Sequence, residues 1–456
     1  MLLRGSLARV LIVAAVAALC GCGGQKRPNV VFVLVDALRA DHVGAYGYTR
    51  MTTPHIDALA RDALLYRNAY STSTWTVPGV ASLFTSTLPV VHRIDRPPER
   101  GDAFSVLDDA YVLANEALSE AGYVTGMVTT IGWVSPGAGY GQGVDEFVRV
   151  NRSDWFLMKR AEEFIAKHRD RPFHLYLHLI DMHDYYEPER ILMQRGLLDA
   201  DSPLLRLEGQ TAEQSYKLLS GELSRDPGMK RKEIAALEAA YDAGLRETDT
   251  LIGRLVAYLE AQALLDDTII VLTSDHGEQF LEHGALTHAG EAFYNEVLRI
   301  PFIIAGPGRF EGRTEIATPV SAIDIFPTLF ALLGIETPSS FQGEAILEER
   351  AEDRAVVATS GRTWKVITSG WSYIAAENPP REELYALAQD PGERANLAAS
   401  PEHAETLDDM RRRLTLRKQE CQAHDYVRLL STPGREDMSE EELETLRSLG
   451  YVDQAR

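Results

Sequence analysis

The chain has 456 residues, 45% of them hydrophobic, enough to bury a large core in one main domain with an appendage. Lys and Arg number 46 against 67 Asp and Glu, a formal net charge of -21. That balance excludes a nucleic-acid partner, which demands a basic face. It also means that an anionic substrate needs a metal ion or a histidine cluster to reverse the local field.

Residues 1–22 stand apart from the fold. Arg4 and Arg9 precede an apolar run, Leu11 to Leu19, and Leu19-Cys20-Gly21-Cys22 follows. The run is too short for a comfortable transmembrane helix and fits a cleaved export signal. The tetrapeptide resembles a bacterial lipobox, which implies a lipidated Cys22, membrane attachment through it, and a periplasmic or cell-surface lipoprotein. By the lipoprotein sorting rule, Gly23 points to the outer membrane. Removal of Cys20 leaves Cys421 alone in the folded part, with neither a disulfide nor a cysteine zinc site.

Pro28 opens a continuous apolar strand, Val30 to Val35, with Asp36 at its carboxyl end. After Thr52-Thr53-Pro54, the spacing of Ile56, Leu59, Ala60, Ala63 and Leu64 predicts a helix packed on the core. Thr76 precedes a Pro78 turn and an amphipathic helix carrying Val80, Leu83 and Phe84; a Thr there also reads as a helix cap. From Phe173 the chain alternates, with Leu175, Leu177 and Leu179 on one face and His174, Tyr176 and His178 on the other. His178 is expected to be a packed strand residue, and Asp181-Met182-His183 falls past the strand end. Asp201 to Lys232 is polar and reads as a surface insertion over a cleft.

From Ala235 a helix packs through Leu245, Ile252, Leu255, Val256 and Leu259. A second buried strand, Ile269 to Leu272, ends in Thr273-Ser274 and presents Asp275 and His276 side by side. Open α/β sheets bind ligands beyond the carboxyl ends of their strands. A carboxylate and an imidazole there can hold a divalent metal, with Gly277 letting the backbone turn away. An isolated Asp-His pair also reads as a helix cap and a polar neighbour; Asp36, a second strand-end carboxylate, favours the metal. His283 and His288 follow in a loop.

The stretches NVVFVLVDALRADHVGAYGY at Asn29 to Tyr48, TVPGV at Thr76 to Val80, Asp181-Met182-His183, SDHGE at Ser274 to Glu278 and IDIFPTLFALLGI at Ile323 to Ile335 come in one order. In that order they resemble the sulfatases of the alkaline phosphatase superfamily. The resemblance implies a mostly parallel central sheet sandwiched by helices over residues 28–345. A small antiparallel carboxy-terminal subdomain would follow over 346–400, and a helical tail over 401–456. It implies one divalent ion held by Asp36, Thr76, Asp275 and His276, with His183 and His288 binding the ester's anionic oxygens and acting in catalysis.

Three departures matter. Thr76 stands where sulfatases carry the Cys oxidised to formylglycine, a conversion Thr cannot undergo. Val80 replaces the neighbouring Arg, and Ala37 replaces a second metal-binding Asp. The trimmed, mixed oxygen and nitrogen set suits zinc or manganese, with magnesium and calcium open.

The function expected is hydrolysis of a sulfate or phosphate ester, glycan- or lipid-linked, with Thr76 as metal-activated nucleophile. One alternative is a transferase of phosphoethanolamine or glycerol-phosphate type acting on a surface glycan or lipid. Another is a catalytically decayed glycan-binding homologue. The sequence leaves the oligomeric state and the ester's organic half open.

Overall fold

The structure, a computed structural model, describes residues 27–94, 106–151, 153–182, 201–207, 209–210, 212–288, 292–306, 310, 312–350, 353–360 and 362–423. The expected export segment with Cys22, the candidate His183 and the tail beyond residue 423 lie outside the described residues.

Fifteen strands occur among the described residues. They are β1 (Asn29–Val35), β2 (Ala63–Tyr66), β3 (Ala69–Tyr70), β4 (Val124–Thr129), β5 (Glu146–Arg149), β6 (Phe173–Leu179), β7 (Thr268–Thr273), β8 (Arg299–Ile300), β9 (Phe302–Ala305), β10 (Thr314–Ile316), β11 (Val320–Ser321), β12 (Val356–Thr359), β13 (Thr363–Ile367), β14 (Trp371–Glu377) and β15 (Pro380–Ala386). The main sheet has the order β10-β2-β9-β7-β1-β6-β4-β5. β9 alone runs against its neighbours; the other pairings in that sheet are parallel.

β1, β6 and β7 are runs of valine, leucine, isoleucine and aromatics because helices cover both faces of the sheet. One face packs Val31, Val33, Val35, Leu175, Leu177, Leu179, Ile270 and Leu272 against Leu157, Ile165, Leu245, Ile252 and Leu255 of helices Asp154–His168 and Arg231–Ala261. The other packs Val30, Phe32, Leu34, Tyr176 and Val271 against Val80, Phe84, Phe326 and Leu329 of helices Thr76–Thr85 and Ile325–Leu333. Each such side chain taken fully from water contributes about 1.5–3 kcal/mol.

The expected helix over 56–64 is shorter. It spans Pro54–Leu59, passes through one 3-10 turn, Ala60–Asp62, and gives way to β2, so Ala63 and Leu64 are strand residues. Asp249 accepts the amides of His55 and Ile56 at its start, as a carboxylate at a helix N-terminus should. The 201–232 stretch is not merely polar cover. Leu204, Leu207, Tyr216, Leu219 and Leu223 are buried in the core beside Leu237 and Ala240.

β12 to β15 form an antiparallel sheet. It packs through Val357, Trp364, Val366 and Leu384 on Leu88, Val91 and Ile323 of the main body, with helix Ala404–Ala423 closing over it. Among the described residues no helix is long and apolar enough to cross a membrane.

Candidate active site

Parallel pairing of β1 with β6 and β7 brings three strand ends together. The Asp36 amide donates to the Leu179 carbonyl at 2.9 Å, continuing the ladder one residue beyond β1. Ala37 then adopts φ +57, a left-handed conformation uncommon for a residue with a Cβ, and the chain leaves the sheet. The turn is held from β7: the Leu38 amide donates to Ser274 Oγ at 2.9 Å, and the Ala37 amide to Asp275 Oδ1 at 3.3 Å.

Asp275 Oδ1 also accepts the His276 amide at 3.0 Å, while its Oδ2 is buried and makes no hydrogen bond. The His276 ring places Nδ1 2.8 Å from the Gly277 carbonyl. A carbonyl accepts only, so Nδ1 carries the proton and Nε2 keeps its lone pair. That lone pair faces Asp275 Oδ2 at 3.4 Å and Asp36 Oδ1 at 3.7 Å. One ligand atom from each of Asp36, Asp275 and His276 lies within 4.8 Å of the others, and all three residues are buried. Two buried carboxylates, one with an oxygen that accepts no hydrogen bond and faces only a nitrogen lone pair, leave charge that desolvation makes costly without a counter-charge. The donor set fits a divalent cation.

Thr76 is the first residue of helix Thr76–Thr85 and caps nothing; the N-cap position belongs to Trp75. Its Oγ1 lies 3.3 Å from Asp36 Oδ2 and 3.3 Å from His276 Nε2. The helix approaches closely because Gly79 has no side chain: a Cβ there would sit 3.0 Å from the Asp275 carbonyl oxygen. Ser71 Oγ donates to that same carbonyl.

The His288 ring lies tilted against that of His276, 4.3 Å between centroids, with Nδ1 3.2 Å from Glu278 Oε2. Tyr216, from the 201–232 insertion, lies 6.1 Å from the His288 ring. Asp36, Thr76, Asp275, His276 and His288 therefore form one buried cluster. His283 is elsewhere, bonded to Glu296 at 2.6 Å and to the Glu393 carbonyl at 2.9 Å, where the body meets the small sheet.

Two neighbours were given no role by the sequence. Glu278 faces His288, and His178 Nε2 lies 3.2 Å from Asp36 Oδ2. The alternation in β6 puts His178 on the face that Asp36 shares, but spacing alone does not separate an imidazole that packs from one that reaches a partner.

Gly277 differs from expectation in its reason. Its φ is not left-handed; the position needs glycine because a Cβ would collide with the Glu296 carbonyl oxygen. Its amide donates to Val297 O at 2.6 Å, so the loop cannot simply move away. Gly277→Ala is expected to lower stability by about 1–3 kcal/mol, seen as a lower melting temperature; an unchanged melt would show that the loop has slack.

A hydroxyl, two carboxylates and two imidazoles converging at the carboxyl ends of a mostly parallel sheet are the equipment of an ester hydrolase. The sulfatase family model matches residues 28–335, and a model for the C-terminal part of N-sulphoglucosamine sulphohydrolase matches residues 282–420. The chain belongs to the sulfatase family, a family of metal-dependent sulfuric ester hydrolases. It is 25% identical to arylsulfatase K of Bos taurus over 483 aligned positions, covering 89% of this chain and 87% of that protein. Among solved structures it is similar to a 2-O GAG sulfatase, with TM-score 0.70, 21% identity, and 91% and 98% of the two chains covered. It is also similar to the phosphonate monoester hydrolase of Agrobacterium radiobacter, with TM-score 0.67, 20% identity, and 87% and 96% covered. These two structural likenesses speak for the fold.

Proposed function

We propose that the chain hydrolyses an anionic sulfate or phosphate ester through Thr76 as nucleophile, with Asp36, Asp275 and His276 holding one divalent ion. The observation that carries the reading is the pair of 3.3 Å contacts from Thr76 Oγ1 to Asp36 Oδ2 and His276 Nε2. A hydroxyl spent on a helix cap would face the helix's own amides; this one faces the metal-ligand set. A bound zinc or manganese ion would supply Lewis acidity, lowering the pKa of the hydroxyl and offsetting charge on the ester's oxygens.

Thr76 gives up its hydroxyl proton to solvent, and its Oγ attacks the sulfur or phosphorus in line. The bond to the alcohol oxygen breaks, and that oxygen takes a proton from an imidazole, His183 in the family's arrangement. A Thr76 ester results. Water then attacks it, freeing sulfate or phosphate and returning the hydroxyl. His288 pairs to Glu278 through Nδ1, so it would present Nε2–H to the non-bridging oxygens as the imidazolium, with both ring nitrogens protonated. Loss of formylglycine chemistry favours phosphate and phosphonate esters over the sulfates that the name arylsulfatase K denotes.

Trapping tests this reading. After acid quench during turnover of an aryl phosphodiester or aryl sulfate, peptide mapping should find one phosphoryl or sulfuryl group on the peptide bearing Thr76. Turnover with that peptide unmodified at every quench time, and the label found on another residue, would overturn the nucleophile.

A further inference from the structure

We infer that His178 is a positioning residue for Asp36, fixing which carboxylate oxygen is offered to the ion; the inference rests on the metal reading above. β6 pairs His178 with Leu34, and Asp36 stands two residues beyond Leu34 on the same face. From there His178 Nε2 reaches Asp36 Oδ2 at 3.2 Å, and Nδ1 lies 3.0 Å from the Tyr176 hydroxyl two residues earlier on that face. Both side chains are wholly buried.

The network assigns the protons. A carboxylate oxygen accepts only, so Nε2 carries the hydrogen and Nδ1 accepts from the tyrosine. The two oxygens of Asp36 then have separate duties. Oδ2 takes the His178 donor at 3.2 Å and lies 3.3 Å from Thr76 Oγ1, while Oδ1 faces His276 Nε2 at 3.7 Å. A carboxylate torsion is soft; a donor clamped on one oxygen decides where the other points.

His174 supplies the contrast. It lies four residues earlier on the same face of β6, is as deeply buried, and neither ring nitrogen has a hydrogen-bond partner. Burial in this strand therefore does not by itself turn an imidazole toward a partner. At His178 the two partners do.

The test titrates metal-depleted full chain with Zn2+ and Mn2+ by calorimetry, for wild type, His178→Phe, His178→Gln and Tyr176→Phe, with metal-free melting curves for each. Gln can return a donor near the Nε2 position, whereas Phe cannot. Second-layer partners of metal ligands typically govern affinity by about 10–100-fold. His178→Phe should weaken ion binding by about that factor and His178→Gln by only about threefold, with the ester KM changed less than kcat. Tyr176→Phe, which keeps the ring in its aromatic cluster, should weaken ion binding by about three- to tenfold. Wild-type affinity in both His178→Phe and Tyr176→Phe would overturn the inference. Equal losses in Phe and Gln variants, tracking lowered metal-free melting temperatures, would overturn it in favour of packing. A wild-type chain that binds neither ion would instead overturn the metal reading itself.

Discussion

Asp275→Asn should abolish metal-dependent turnover, by about a thousandfold or more, with ion binding lost in parallel. The direction of the amide decides this. Oδ1 of Asp275 accepts the His276 amide at 3.0 Å and the Ala37 amide at 3.3 Å. In the variant an oxygen must stay there, since an NH2 group would face two donors across a fixed turn. The new Nδ2 then takes the place of Oδ2, the oxygen that points with His276 Nε2 and Asp36 Oδ1 toward the ion position. The cation loses a charged ligand and meets a donor. The backbone bonds survive, so the metal-free melting temperature should stay near wild type, separating lost chemistry from lost fold. Full activity in Asp275→Asn would contradict the ligand assignment.

The second large effect is on stability in acid. His92 is buried, accepts the Ile94 amide at Nδ1, and sits 2.9 Å from Ser82 Oγ at Nε2; burial pushes its pKa down to about 3. His174 is buried beside Phe326, and burial pushes it down to about 3 as well. An unfolded histidine titrates near ~6.5. Between that value and about 3 the unfolded chain holds protons that the folded chain does not. The sign follows: stability conferred by the neutral rings is complete above pH ~6.5 and drains as pH falls toward 3. Each ring accounts for on the order of 4 kcal/mol by pH 3, against a typical total of roughly 5–15 kcal/mol. The fold should therefore open in moderate acid. His174→Leu, which removes one of the two rings, should flatten the decline in urea stability between pH 6.5 and 4 relative to wild type. Parallel pH profiles for the two proteins would refute that share of the effect.

How much of this was legible in the sequence depended on how many forces acted on each stretch. β1 and β7 could be read because helices bury both their faces, leaving apolar runs with a polar stop, Asp36 in one case and Ser274-Asp275 in the other. The apolar period that predicts a helix over 56–64 overruns helix Pro54–Leu59 because Ala63 and Leu64 fall on the same period, yet pairing with β9 and β10 claims them for β2.

The site divides similarly. Asp36, Asp275 and His276 stand at strand ends, where a carboxyl-end rule applies. Thr76 came from a family resemblance, since a threonine at a helix start looks like a cap until its hydroxyl is seen turned toward Asp36 and His276. The roles of Glu278 and His178 depend on contacts to His288 and Asp36 that no periodicity of the chain shows. Contacts that depend on tertiary placement leave no period in the chain.

The most direct measurement of the central claim is hydrolysis by soluble chain beginning after Cys22, loaded in turn with zinc, manganese, magnesium and calcium. An aryl phosphate, an aryl phosphodiester and an aryl sulfate serve as substrates, with Thr76→Ala beside the wild type. Turnover with zinc or manganese should fall by about a thousandfold or more in Thr76→Ala, the alanine chain still binding the ion. Turnover that persists at the wild-type rate in Thr76→Ala, or that proceeds equally in chelator, would contradict that claim.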